Sequence, residues 1–173
     1  LFDDVPAPMI YAVAGQISCF VPFSVAGKKF VQMVVEYKGL RSDKITLAVA
    51  DAIPGLLTAD QSGGGQGAIL NQDYSYNSQT GAAPGEYVFL FGTGAGQTSP
   101  PAQDGRLNAG TSTLVTRPIK AFLDGVEVPP ENIQYAGPGP SLVEGVFQVN
   151  LKLPASVRRN SAVRVAVKFG EYA

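Results

Sequence analysis

The sequence predicts an all-β protein built as two tandem Ig-like β-sandwich domains. Three observations carry that reading. Short apolar runs recur between glycine and proline clusters, with 20 Gly and 13 Pro in 173 residues. Several runs alternate apolar and polar residues at period two, the signature of a half-buried strand. A stretch of three consecutive glycines, Gly63-Gly64-Gly65, interrupts the apolar pattern once.

Taken in order, residues 16–21 (QISCFV) read as a strand stopped by Pro22, and alternation places Ile17, Cys19 and Val21 on one face. Cys19 is then a small core residue, as buried cysteines commonly are, not a reactive thiol. Residues 30–37 (FVQMVVEY) and 45–49 (ITLAV) read as strands joined by a hairpin loop over 38–43. Residues 59–66 (ADQSGGGQ) bury little and read as a flexible linker. This places domain one at 1–58 and domain two at 67–173. In the second part, 86–91, 119–123, 126–128, 133–136, 146–153 and 162–169 read as strands. Asp124-Gly125 is a strong hairpin-turn signal. A long polar connection occupies 97–116, and residues 154–159 allow one helical turn at most.

The chain repeats itself. Phe2-Asp3-Asp4-Val5 resembles Leu123-Asp124-Gly125-Val126, and Met9-Ile10-Tyr11-Ala12 resembles Ile133-Gln134-Tyr135-Ala136. At a spacing of 132, Val21-Pro22 falls on Leu153-Pro154, and Val31, Met33, Val35 and Tyr37 fall on Val163, Val165, Val167 and Phe169. About 55 residues precede the Leu123 hairpin in the second copy and have no counterpart in the first. Conversely, the 45–49 strand has no counterpart after Phe169. The first domain is thus expected to lack its N-terminal strands and the second its last strand. Either the chain is a segment of a longer protein, as its start at Leu1 suggests, or a neighbouring chain supplies strands by β-strand addition.

Composition narrows the chemistry. With 13 basic and 14 acidic residues the net charge is −1, which argues against nucleic-acid or polybasic membrane binding. There is no His and a single Cys, so no Ser-His or Cys-His pair, internal disulfide or cysteine-cluster metal site is available. No apolar stretch reaches 18 residues, so no membrane span is expected, and no Asn-x-Ser/Thr sequon occurs. Only 16% of residues are charged, and the loops are rich in Ser, Thr, Asn, Gln and Gly, which fits a secreted or surface protein.

Candidate chemical motifs read better as structure. Gly92-x-Gly94-x-Gly96 lacks the Lys-Ser/Thr and the following helix of a phosphate loop, so the glycines shape a strand exit. Asp3-Asp4 and Glu127/Glu131 are carboxylate pairs of the kind a hydrolase would face across a cleft, but Asp3 and its repeat partner Asp124 read better as turn residues. Asn71, Asp73, Ser75 and Asn77 alternate oxygen side chains but lack the glycine and bidentate glutamate of an EF-hand, so they read as hairpin polarity. Tyr74 and Tyr76 are the candidate carbohydrate or partner contacts.

The runs Met9-Ile10-Tyr11 … Gly15-Gln16-Ile17 … Val21-Pro22 and Gln66-Gly67-Ala68-Ile69-Leu70-Asn71-Gln72-Asp73 carry a resemblance. So do Gly92-Thr93-Gly94-Ala95-Gly96-Gln97-Thr98 with Pro100-Pro101 and Asp104-Gly105, and Tyr135-Ala136-Gly137 with Gly145-Val146-Phe147-Gln148-Val149-Asn150. With these the chain resembles, over nearly its whole length, the uncharacterised C-terminal domain family common in secreted proteins of Acidobacteria. The resemblance implies a secreted, β-rich, Ig-like module with no assigned enzymatic activity, carried after other extracellular modules.

The expectation is therefore a non-enzymatic extracellular interaction module without cofactor or metal, a subunit of a surface filament or other assembly held by strand complementation and apolar contacts. Its partners would be copies of itself or neighbouring chains. Expected intersubunit contacts are Leu1, Phe2, Met9, Ile10, Tyr11, Val163, Val165, Val167 and Phe169. The alternative is a carbohydrate-binding or surface-anchoring module using Tyr74 and Tyr76.

Overall fold

A computed structural model describes residues 1–110, 112–157 and 162–173. Among the described residues the chain is all-β, with 42% in strands and no helix of seven or more residues. Its helical content among the described residues is two 3-10 turns, Phe23–Val25 and Pro130–Asn132.

The larger core lies in the C-terminal part, between two sheets. One sheet centres on β9 (Tyr87–Thr93) and β15 (Val146–Lys152), with β14 (Ile133–Pro138) on the far side of β15. The other has β12 (Ile119–Leu123) between β13 (Val126–Glu127) and β16 (Val165–Phe169). Alternation decides which side chains enter. Val88 and Leu90 of β9 and Phe147, Val149 and Leu151 of β15 point inward. They meet Ala121, Leu123, Val167 and Phe169 from the opposite sheet in one cluster. Two sheets sharing one apolar core are consistent with a β-sandwich. Each fully buried Leu, Val or Phe contributes about 1.5–3 kcal/mol.

The edge of β9 is covered by a single interrupted strand. β7 (Gly55–Leu56) pairs with Thr93 and Gly92, and β8 (Ile69–Asn71) pairs with Leu90, Phe89 and Val88. The glycine-rich stretch between them closes on itself through the Thr58–Gly67 bridge and the Ala59 N–H bonded to the Gln66 carbonyl. The expected linker at 59–66 is thus an excursion within one edge strand. Residues 52–57 lie with the C-terminal part: Ala52 sits in its core and Leu57 N–H donates to Phe91 O.

The three glycines of 92–96 make that approach possible. A Cβ on Gly92 would meet the Phe147 ring and Gly55 O. One on Gly94, at φ +83°, would meet Ile53 O, and one on Gly96, also at +83°, would meet Asp51 O. They let residues 51–55 lie against the strand exit, the structural role the sequence assigns them.

The N-terminal part is smaller. β1 (Met9–Val13) pairs with β2 (Gln16–Cys19), and β3 (Phe30–Met33) pairs with β6 (Ile45–Ala48). The 30–37 run expected as one strand breaks at Val34–Val35. Val34 exchanges backbone bonds with Leu1, and Val35 N–H turns to Ser42 Oγ. β4 (Glu36–Tyr37) then forms a tight hairpin with β5 (Leu40–Arg41) around Lys38-Gly39, both at positive φ. The core here is Phe2, Val25 and Val31, with Cys19, Met33, Leu47 and Val49 packed on it. β10 (Thr98–Ser99) and β11 (Leu114–Val115) form a short ladder inside the 97–116 connection.

The repeat holds at the level of single hydrogen bonds. Asp3 (φ 48°) and Asp124 (φ 50°) each occupy the same left-handed turn position. Asp3 N–H donates to Gln32 O at 2.9 Å, and Gln32 N–H donates back to Asp3 Oδ1 at 2.8 Å. Asp124 and Arg164 make the same reciprocal pair, both at 2.8 Å. Phe2 bridges Val5 and Met33 as Leu123 pairs with Val126 and Val165. The β1–β2 and β14–β15 ladders carry a register irregularity at the same place, between Met9 and Tyr11 and between Ile133 and Tyr135.

Gly94→Ala combines a positive φ with a backbone collision, so it is expected to destabilise the fold by about 2–3 kcal/mol. Gly110→Ala, with open space around it, should change stability by under about 0.5 kcal/mol. Denaturant melts of the two variants check this.

Candidate functional site

The repeat exposes the most unusual surface of the molecule. Equivalent positions in its two copies are buried in one and exposed in the other. Val149 and Leu151 on β15 are fully buried, 0% exposed, whereas their equivalent Ile17 on β2 is 47% exposed and Cys19 is half-buried. Val167 and Phe169 on β16 are buried, whereas Val35 is 40% and Tyr37 69% exposed. Tyr135 is buried, with its hydroxyl donating to Pro138 O at 2.6 Å, and burial pushes its pKa up. Its equivalent Tyr11 is exposed.

The physical cause lies in which strands each copy has. β15 is flanked by β14 and β9, but β2 pairs only with β1 among the described residues. β16 lies against the full length of β12, whereas the equivalent pairing in the first copy ends at Leu1 and Phe2. The expectation that Ile17, Cys19 and Val21 share a core face is therefore met in part. Cys19 packs on the Phe2–Val25–Val31 cluster, while Ile17 and Val21, at 47% and 54% exposure, lack an opposing strand. A cleft of about 710 Å3 opens over the same cluster, lined by Phe2, Cys19, Val25, Val31, Leu47 and Val49 on one side and by Ala52, Val115 and Phe147 on the other.

The expected intersubunit residues divide. Met9, Ile10 and Tyr11 are exposed on β1. Leu1 is half-buried, its α-amino group bonded to Val34 O at 2.8 Å. Phe2, Val167 and Phe169 are interior, and Val163 and Val165 pack against the larger core, so these five side chains face inward. Sequence reasoning missed Phe30, Leu40 and Ile45, exposed at 62%, 77% and 51%. Period-two alternation names a strand's two faces but not whether a partner covers either one.

Tyr74 and Tyr76 are 72% and 62% exposed. Tyr74 adopts φ 65° and stacks on Phe89 at 5.4 Å and 26°. Phe89 lies on the outer face of β9 with Tyr87 and Phe91, all half-buried, and these three aromatics are opposed by Lys152, Asn150 and Gln148 of β15. That row, found only once β9 and β15 are in register, extends the aromatic surface around Tyr74.

The oxygen-bearing segment beside it is committed internally. Asn71, 6% exposed, donates to Thr80 O at 2.7 Å and Ser75 Oγ at 3.0 Å, and accepts from Asn77 at 2.8 Å. Asp73 Oδ1 accepts from the Ser75 amide and hydroxyl, which lower its pKa. Among the described residues no group of three His, Cys, Asp or Glu is placed to hold a metal, and no helix is long and apolar enough to cross a membrane.

Asp3, Asp4 and Glu127 instead make surface contacts. Asp3 holds Lys28, Asp4 holds Arg41, and Glu127 holds Lys120, all exposed pairs worth little individually. The Gln32 amide, then Lys28, draws the Asp3 pKa below the usual carboxylate range.

Comparison with known family models, curated proteins and solved structures finds no match to this chain.

A carboxylate with a depressed folded pKa stabilises the fold above its unfolded value and loses that contribution as pH falls through the folded one. Asp3→Asn is accordingly expected to lower stability at neutral pH. Its difference from the parent should shrink below about pH 4, the ordinary unfolded carboxylate value. Melting curves of both proteins across pH 2–7 check the sign.

Proposed function

We propose that this chain is a non-enzymatic extracellular interaction module, built of two Ig-like units, that associates through strand complementation and apolar contacts. The repeat supports this most directly. In the first copy, side chains equivalent to interior residues of the second stand open to water. Ile17, Val35 and Tyr37 stand in the places of the buried Val149, Val167 and Phe169, and Met9, Ile10, Val21 and Phe30 are exposed in the same half of the sequence. Apolar exposure concentrated on one part of a surface marks an interaction site, and an unpaired strand beside it supplies the backbone donors and acceptors for another strand. Assembly into a surface filament is the form of association this reading favours.

A second reading has its own observation. Tyr74 stacked on Phe89, beside the Tyr87–Phe91 row and polar Gln148 and Asn150, offers an aromatic platform with hydrogen-bonding neighbours, the chemistry of carbohydrate recognition.

Sedimentation of the purified chain from low to high concentration tests the first reading. Concentration-dependent oligomers that Ile17→Lys abolishes are expected. A chain that stays monomeric throughout, together with glycan binding lost in Tyr74→Ala, would move the conclusion to the carbohydrate module.

A further inference from the structure

We infer that the free edge of β2 is an acceptor for one extended peptide strand, antiparallel to it, with apolar side chains at alternate positions and a register set by β9. The inference rests on the interaction-module reading above and names the partner's chemistry.

The second copy of the repeat serves as template. There β15 receives β9 in a regular antiparallel ladder: Gln148 faces Phe91, Val149 faces Leu90, Asn150 faces Phe89 and Leu151 faces Val88. Only Val88 and Leu90 of these β9 residues enter the core, and Phe89 and Phe91 stay on the outer face. At the 132-residue spacing, Gln16, Ile17, Ser18 and Cys19 take the places of Gln148, Val149, Asn150 and Leu151. β2 turns Cys19, in the place of Leu151, onto its cluster, pairs with β1 through the same irregularity as β15 with β14, and has no strand on its second edge among the described residues.

The incoming strand is thus specified residue by residue. Its two inward side chains lie opposite Ile17 and Cys19, where Leu90 and Val88 lie in the second copy. The one opposite Cys19 enters the 710 Å3 cleft over Phe2, Val25 and Val31, which Cys19 itself lines. That space exceeds by several-fold a cavity of about 150 Å3 that accepts one benzene-sized group. An apolar occupant is favoured beside Cys19 because the residues packed there, Phe2, Val25, Val31, Leu47 and Val49, are apolar. The alternation matters because a slip of one residue would turn the strand's apolar side chains to water.

Cys19, the chain's single cysteine, reports the register. Directly opposed residues in an antiparallel pair have Cα atoms about 4.5–5.5 Å apart, within the range a disulfide spans. The probe is a synthetic peptide of the β9 sequence, residues 85–94, with lysines added at both ends for solubility. One version carries Val88→Cys and another Phe89→Cys. Each is mixed with the intact chain under mild oxidation, and adducts are read by mass spectrometry. The Val88→Cys peptide should form at least about tenfold more adduct than the Phe89→Cys peptide, whose thiol would lie on the outer face. Hydrogen exchange gives a second readout: the cysteine-free peptide should slow exchange at residues 16–19 and leave residues 146–152 unchanged. A peptide with Val88→Asp and Leu90→Asp should do neither.

Equal adducts from both cysteine peptides, no protection of residues 16–19, or Cys19–Cys19 dimers formed in preference to the peptide adduct would each overturn the inference. If the chain oligomerises but rejects the peptide, the interaction-module reading stands and the strand acceptor falls. If it captures the peptide in register yet never self-associates, the acceptor stands and filament assembly falls.

Discussion

The antiparallel ladder between β9 and β15 is the constraint on which the rest of the fold depends. It pairs seven residues of each strand without a break. It also sets Leu90, Val149 and Leu151 side by side at full burial. Because side chains alternate, this one register decides three things together. It places Val88 and Leu90 against β12 and β16, turns Tyr87, Phe89 and Phe91 outward, and brings Gly92 under the Phe147 ring. The approach of residues 51–55 depends on Gly92 within β9 and on Gly94 and Gly96 just after it.

The N-terminal part keeps several local features of the larger one, but among the described residues no strand lies on the second edge of β2. The turn aspartates, the ladder irregularity and the Phe2 bridges are kept, which shows how much of the local geometry is encoded by a few residues. What is missing is burial, since Ile17 and Tyr37 have the chemistry of interior side chains and the exposure of surface ones. Polar contacts tie this part to the larger one at a few points. Asp51 meets Arg117 at 2.5 Å, and the Phe23 amide donates to Asp104 at 2.9 Å. Arg117 also lies over the Tyr172 ring at 5.3 Å.

Strongly alternating runs were legible in the sequence. Strands β9, β12, β15 and β16 fall within or beside the expected segments, and Asp124-Gly125 makes the expected turn. β7, β8, β10 and β11 have two or three residues each, too few for a period to show, and their partners are remote in sequence. The glycine stretch reads as a linker because composition reports flexibility and not whether the two ends meet again. The predicted end of the helical turn at 158–159 lies outside the described residues. For the candidate site, alternation placed Cys19 correctly against its cluster but not Ile17 or Val21, because a strand's inward face is buried only when another strand lies opposite. The Tyr74–Phe89 stack joins the turn after β8 to β9, and it forms only once those two strands pair, so no local pattern announces it.

The glycine excursion between β7 and β8 has a consequence of its own. It leaves the outermost edge of the five-stranded sheet without a long straight run of free amides and carbonyls. A strand sliding along that edge would meet the Thr58–Gly67 loop after the two residues of β7 or the three of β8 and lose its ladder. The edge is thereby blunted against indiscriminate stacking of one molecule on the next, the route by which flat sheets grow into amyloid. The loop's ends are pinned to each other, so its tip can vary in length and composition without disturbing the register beneath it.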